Sequence, residues 1–129
     1  MFARYINLPP ATRISTPVFP FYRHYGLVTE YGLVMSCSAR VGHAAEEFVD
    51  VFSGGRPWRV EPRLIDLPWW VVLQRARLLA NRPYHLTDWN CECFVNACYG
   101  LPAHSQQAET TMTAAALGLL AIAASRMAS

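Results

Sequence analysis

The sequence predicts an α+β fold, a small antiparallel sheet packed against helices, on three observations. Two β-prone runs, "HYGLV" and "LVMSC", flank the turn-like "TEYG". Residues 67–81 repeat apolar side chains at helical spacing. A second helix is marked by Asn90 at its start and Gly100 at its stop. With 129 residues, 53% of them hydrophobic and 16% charged, the chain is expected to fold as one domain with a real core. We place that domain at residues 1–104 and a C-terminal apolar helix at 105–129.

Residues 1–20 contain Pro9, Pro10, Pro17 and Pro20 and read as an extended, looping lead-in. The two β-prone runs then form a hairpin, with Gly32 taking positive φ in the turn. "AAEEFVDVFSGG" reads as a short helix ended by Gly54, and "PWRVEP" as a short strand centred on Val60. The clearest helix runs from about Leu67 to Asn81, with Pro68 in the first turn, where no amide donor is needed. Trp69, Val72, Leu73, Ala76, Leu79 and Ala80 form its apolar face. Pro83 ends it.

The next helix carries the chemistry. Asn90 is a favoured N-cap, so Cys91 falls in the first turn. Unpaired amides and the helix dipole are expected to lower a thiol pKa there. Cys91, Phe94, Val95 and Cys98 share an inward stripe, whereas Cys93 is expected to point elsewhere. The bland alternative is that Cys91 only packs, because free cysteine is commonly buried. A nucleophile needs a base, and His24, His43, His85 and His104 are the candidates. His24, at the head of the first β-prone run, is the one of interest.

Composition narrows the function classes. A net charge of +2, with eleven scattered arginines and no lysine, gives no nucleic-acid footprint. The N-terminal stretch lacks an apolar run of signal-peptide length, so the chain is expected in the cytoplasm with reduced thiols. Cys37, Cys91, Cys93 and Cys98 then form no disulfide framework, and their spacing matches no zinc pattern. Neither metal nor cofactor is called for.

These segments resemble the lecithin:retinol acyltransferase-like family, which includes the phospholipase A/acyltransferases of the HRAS-like suppressor group and is a permuted offshoot of the papain-like cysteine enzymes. "HYGLVTEYGLVMS", His24 to Ser36, is similar to the family's first block, and "NCECFVNACYG", Asn90 to Gly100, to its second. "EEFVDVFSGGRPWRV" looks like its middle segment, so the resemblance covers roughly residues 20–105. It implies a thiol acyl enzyme in which Cys91 attacks an ester or amide carbonyl and His24 takes the thiol proton. The acyl group then passes from a thioester to water or another acceptor. The Cys91 backbone amide becomes a natural oxyanion donor, and Tyr25 either shapes that hole or merely packs.

One departure bears on activity. Twelve residues after His24 the family places a second histidine that orients the first; here that position is Ser36. Three readings stay open: Ser36 fills the role weakly, His43 swings in from the next loop, or the site has lost its chemistry. Reduced activity is the expectation, since loss of an orienting group slows catalysis more often than it abolishes it.

The expected partner is therefore a lipid or other acyl-bearing substrate. A peptidase or amidase on the same fold, of the NlpC type, is the second enzyme reading. An inactive binding protein, such as an inhibitor encoded by a mobile element, is the third, and it would call for a protein partner. "MTAAALGLLAIAA", Met112 to Ala124, is an uncharged run of thirteen residues. As helix it is about 20 Å long against a hydrocarbon core of about 30 Å, too short to span. Family members often carry a hydrophobic anchor here, which implies peripheral contact with the inner face of a membrane. The alternative, which we prefer, is an alanine-rich helix packed on its own domain or on a second copy.

Overall fold

A computed structural model describes residues 4–18 and 21–128, with the side chains of 111 and 119–128 outside the description. It is an α+β structure. In chain order it comprises β1 (Arg13–Val18), β2 (Tyr22–Val28), β3 (Val34–Cys37), β4 (Ala44–Glu47), α1 (Val49–Ser53), β5 (Arg59–Val60), α2 (Trp69–Leu79), α3 (Cys91–Cys98) and α4 (Gln106–Ala128). The strands form one antiparallel sheet in the order β4-β3-β2-β1-β5.

The β2–β3 hairpin forms where the sequence places it, with Gly32 at φ 72°. The lead-in does not stay a loop: residues 13–18 are a central strand, paired with β2 and β5. Pro17 is compatible with that position. Amide and carbonyl of one strand residue face the same side, and the Glu61 amide donates to the Arg13 carbonyl, so Arg13, Ser15 and Pro17 face β5. The paired part of β5 ends opposite Ser15, so the ladder loses nothing to the missing amide of Pro17. Pro20 lies outside the described residues.

Residues 44–55 divide where a single helix was expected. Ala44–Glu47 pairs with β3, and only Val49–Ser53 is helical, ended by Gly54 at φ 61°. A free β3 edge outweighs the weak helical pattern of "AAEE".

The sheet has two covered faces. On one, Leu27, Met35, Cys37 and Ala44 pack under α2 and α3. On the other, Ile14, Val28 and Val34 pack against Ile6 and Phe52. Gly26 belongs to this second face, where a Cβ would meet Val34 at 2.6 Å and Phe52 at 2.8 Å. Helix α2 buries Val72, Leu73 and Ala76 as its periodicity predicts. Trp69, assigned to the same face, is 36% exposed at the helix end and stacks edge-on with Trp70 instead of entering the core.

Helix α4 begins at a capped turn: the Ser105 hydroxyl accepts from the Ala108 amide at 3.1 Å and donates to Glu92 Oε1 at 2.8 Å. Residues 112–118 are exposed, so this half of the apolar stretch does not pack on its own domain. Among the described side chains of α4, Ala108 alone is buried. The side chains of the remaining apolar residues, 119–124, lie outside the description. Among the described residues, no helix is long and apolar enough to cross a membrane.

Candidate active site

Asn90 organises the start of α3. Its Oδ1 accepts from the amides of Glu92 at 3.0 Å and Cys93 at 3.1 Å, and its Nδ2 donates to the Leu86 carbonyl at 2.9 Å. The cap leaves the Cys91 amide without an acceptor among the described residues. Cys91, Phe94, Val95 and Cys98 all face inward, as their spacing predicts. Cys93 is directed to the turn before the helix. It is fully buried, its thiol donating to the Thr87 carbonyl at 3.7 Å, because the His85–Trp89 turn folds beneath the helix.

Cys91 and His24 approach from opposite faces of the sheet. His24 shares its face with Ser36 and Phe52, and α3 packs on the other. The β2–β3 register stops at Leu27–Met35, so the backbone of the Tyr22–Gly26 half of β2 has no strand partner on that side. Other groups fill that gap. The Cys91 thiol donates to the Arg23 carbonyl at 3.8 Å. Gln107 pairs with the same residue like a short strand, accepting from its amide at 2.6 Å and donating to its carbonyl at 3.0 Å. Glu92 secures Gln107 by accepting from its amide at 3.1 Å. Cys91 thus lies at the opening between two strands rather than behind the sheet.

A cavity of about 600 Å³ occupies that opening, with both Cys91 and His24 in its wall. His24 Nε2 lies 3.2 Å from Ser36 Oγ, and its ring stacks on Phe52 with centroids 4.8 Å apart. Nδ1 makes no hydrogen bond among the described residues. Cys91 makes no hydrogen bond to His24; its thiol is turned to Arg23.

The electrostatics depart from the expected activated thiolate. Burial pushes the Cys91 thiol up to about 12, outweighing a backbone hydrogen bond from Tyr25 that favours the thiolate. Burial, then the charges of Arg40 and Arg56, pulls His24 down from 6.5 to about 4. At rest the cavity wall holds a neutral thiol and a neutral imidazole. The helix start provides the amide donors, but desolvation of the charged form dominates.

Of the other candidates, Ser36 is buried against His24. His43 donates from Nδ1 to the Ala44 carbonyl at 2.8 Å and stands outside the cavity wall. His85 is tied up in its own turn, and His104 pairs with Glu109 at 2.9 Å. The Tyr25 ring packs with the α3 face under the Arg13 guanidinium, away from the wall; only its backbone meets Cys91. Arg40 and Arg56 were missed in the sequence, since each lies in a loop or turn with no motif around it. No protein-family model matches the chain, and no curated protein matches it either.

Proposed function

We propose that the chain is a thiol acyl enzyme of permuted papain-like architecture, an acyl hydrolase or acyltransferase acting on a lipid ester or amide. The observation that carries this reading is the opening of both Cys91, at the Asn90-capped start of α3, and His24, backed by Ser36, into one cavity. In the proposed cycle, neutral His24 takes the thiol proton at Nδ1 as Cys91 sulfur bonds to the substrate carbonyl carbon. The Cys91 amide, left free by the Asn90 cap, donates to the oxyanion. Collapse expels the alcohol or amine, which takes the proton from His24, and leaves a thioester. Water or an acceptor alcohol or amine then gives its proton to His24 and attacks, releasing the acyl product and restoring the thiol.

The cycle calls for Ser36 to accept from Nε2–H, which holds the tautomer with Nδ1 unprotonated, without the charge compensation a second histidine would supply. Peripheral action at the cytoplasmic face of a membrane belongs to the same reading. It draws on four free cysteines and on the exposed Met112 and Leu117 of α4. A second reading, a binding protein that keeps the fold without the chemistry, draws on the turning of the Cys91 thiol toward Arg23.

Turnover of short-chain nitrophenyl esters separates the two. The acyl-enzyme reading expects hydrolysis that is lost in Cys91→Ala and reduced at least about hundredfold in His24→Ala, as removal of a general base does. Equal background rates in all three proteins would leave the binding reading.

A further inference from the structure

Alternate residues of a strand turn their backbone groups to opposite neighbours. Arg13, Ser15 and Pro17 face β5, so Ile14, Thr16 and Val18 face β2, opposite Gly26, His24 and Tyr22. Arg23 and Tyr25 therefore turn their amides and carbonyls the other way, into the gap where β3 no longer pairs. Backbone groups left bare there would be costly, and two side chains stand in for the missing strand. Gln107, in the first turn of α4, satisfies both groups of Arg23, accepting from its amide at 2.6 Å and donating to its carbonyl at 3.0 Å. Cys91 lies between the Arg23 carbonyl, which accepts from its thiol at 3.8 Å, and the Tyr25 amide, which donates to its sulfur. The Arg23 carbonyl thus takes two donors, and it belongs to the peptide that leads directly into His24. Gln107 is held in turn by Glu92, whose Oε1 accepts from its backbone amide at 3.1 Å and from the Ser105 hydroxyl at 2.8 Å. Glu92 adjoins Cys91, so one carboxylate ties the start of α4 to the nucleophile's own turn.

We propose that Gln107 is a positioning residue for Cys91 and His24. Through the Arg23 peptide it fixes both the segment of β2 that carries the base and the carbonyl from which the thiol must turn. A carboxamide suits this task because it offers an acceptor and a donor side by side, matching the amide and carbonyl of one strand residue. Gln107 stands outside the cavity wall, so it acts through Arg23 without touching substrate. The proposal rests on the acyl-enzyme reading for its effect on rate, and on the hydrogen bonds alone for the fixing of Arg23.

Two variants of near-equal length separate positioning from simple support. Gln107→Met removes both bonds to Arg23. Gln107→Glu keeps the acceptor and, once ionised, loses the donor. Gln106→Met, at an exposed neighbour, is the control. Amide hydrogen exchange followed by NMR reads the clamp without any catalysis. In Gln107→Met the Arg23 amide should exchange at least about tenfold faster, with the Leu27 and Val28 amides unchanged. Ester turnover reads the consequence: kcat should fall roughly tenfold, the scale of a lost hydrogen bond to reacting groups, with KM within about twofold of the wild type. Gln107→Glu at neutral pH still accepts from the Arg23 amide, which should stay protected. Its carboxylate opposes the Arg23 carbonyl, so kcat should fall at least as far. Gln106→Met should match the wild type in both measurements. An Arg23 amide still protected in Gln107→Met, or kcat unchanged in either Gln107 variant, would overturn the proposal. So would faster exchange that spreads to Leu27 and Val28, which marks general loosening, or an equal loss of kcat in Gln106→Met. A raised KM at constant kcat would overturn it as well, by making Gln107 a substrate contact. If the wild type itself turns over no ester, the acyl-enzyme reading falls, while faster Arg23 exchange in Gln107→Met still upholds the clamp on that peptide.

Discussion

His24 makes the stability of the fold depend on pH in a window that can be worked out in advance. In the unfolded chain it titrates near 6.5; in the folded protein burial and two arginines hold it near 4. The folded pKa is the lower, so between these values the unfolded chain binds more protons, and stability falls as pH falls. The contribution is fully present above 6.5 and is lost by about pH 4. At about 1.4 kcal/mol per pH unit, that interval amounts to at most about 3 kcal/mol. Carboxylates titrate in the same range, so the wild type alone does not isolate the effect. Urea denaturation of the wild type and His24→Gln, at steps from about pH 8 to about pH 4, does. The variant loses the Phe52 stacking at every pH, a constant offset. Relative to that offset, the wild type should lose about 3 kcal/mol more than the variant across the window. Parallel curves would refute the claim that His24 is held neutral by its surroundings.

Four further outcomes follow from single contacts. Ser36→Ala removes the 3.2 Å hydrogen bond to His24 and should slow ester turnover roughly five- to tenfold, the rate equivalent of about 1 kcal/mol; an unchanged kcat would mean the serine does not orient the ring. Asn90→Ala strips the cap from α3 and should lower stability by about 1 kcal/mol while also impairing turnover, read by denaturation and rate together. Gly26→Ala inserts a methyl between Val34 and Phe52 and should cost about 1–3 kcal/mol, seen as a lower melting temperature. Ending the chain after Thr111 should leave the melting temperature within about 2 °C, because residues 112–118 are exposed, and should reduce sedimentation with liposomes if the tail contacts lipid. Unchanged sedimentation removes the membrane role.

What the sequence disclosed is mostly local. The Asn90 cap was legible because its bonds reach only two and three residues ahead, and the β2–β3 hairpin because Gly32 marks its turn. The twelve-residue spacing of His24 and Ser36 brought them together for the same reason, as one hairpin carries both. Strand β1 was hidden behind Pro17, which is harmless only because β5 ends before it. The helical expectation for "AAEE" failed because pairing with β3 is a long-range event absent from a local pattern. At the site, the helix start pointed to a lowered thiol pKa, and burial reversed the direction. Arg40 and Arg56 meet at the cavity only once the sheet is assembled, so no spacing announced them.

The central claim is that Cys91 carries the acyl group and His24 activates it. Intact-mass analysis with peptide mapping, after brief exposure to an activated short-chain ester at neutral pH, tests this most directly. The account predicts one acyl group, on Cys91, formed quickly in the wild type and much more slowly in His24→Ala, and no corresponding adduct in Cys91→Ala. Acylation spread over Cys37, Cys93 and Cys98, or formed on Cys91 at the same rate without His24, would contradict it.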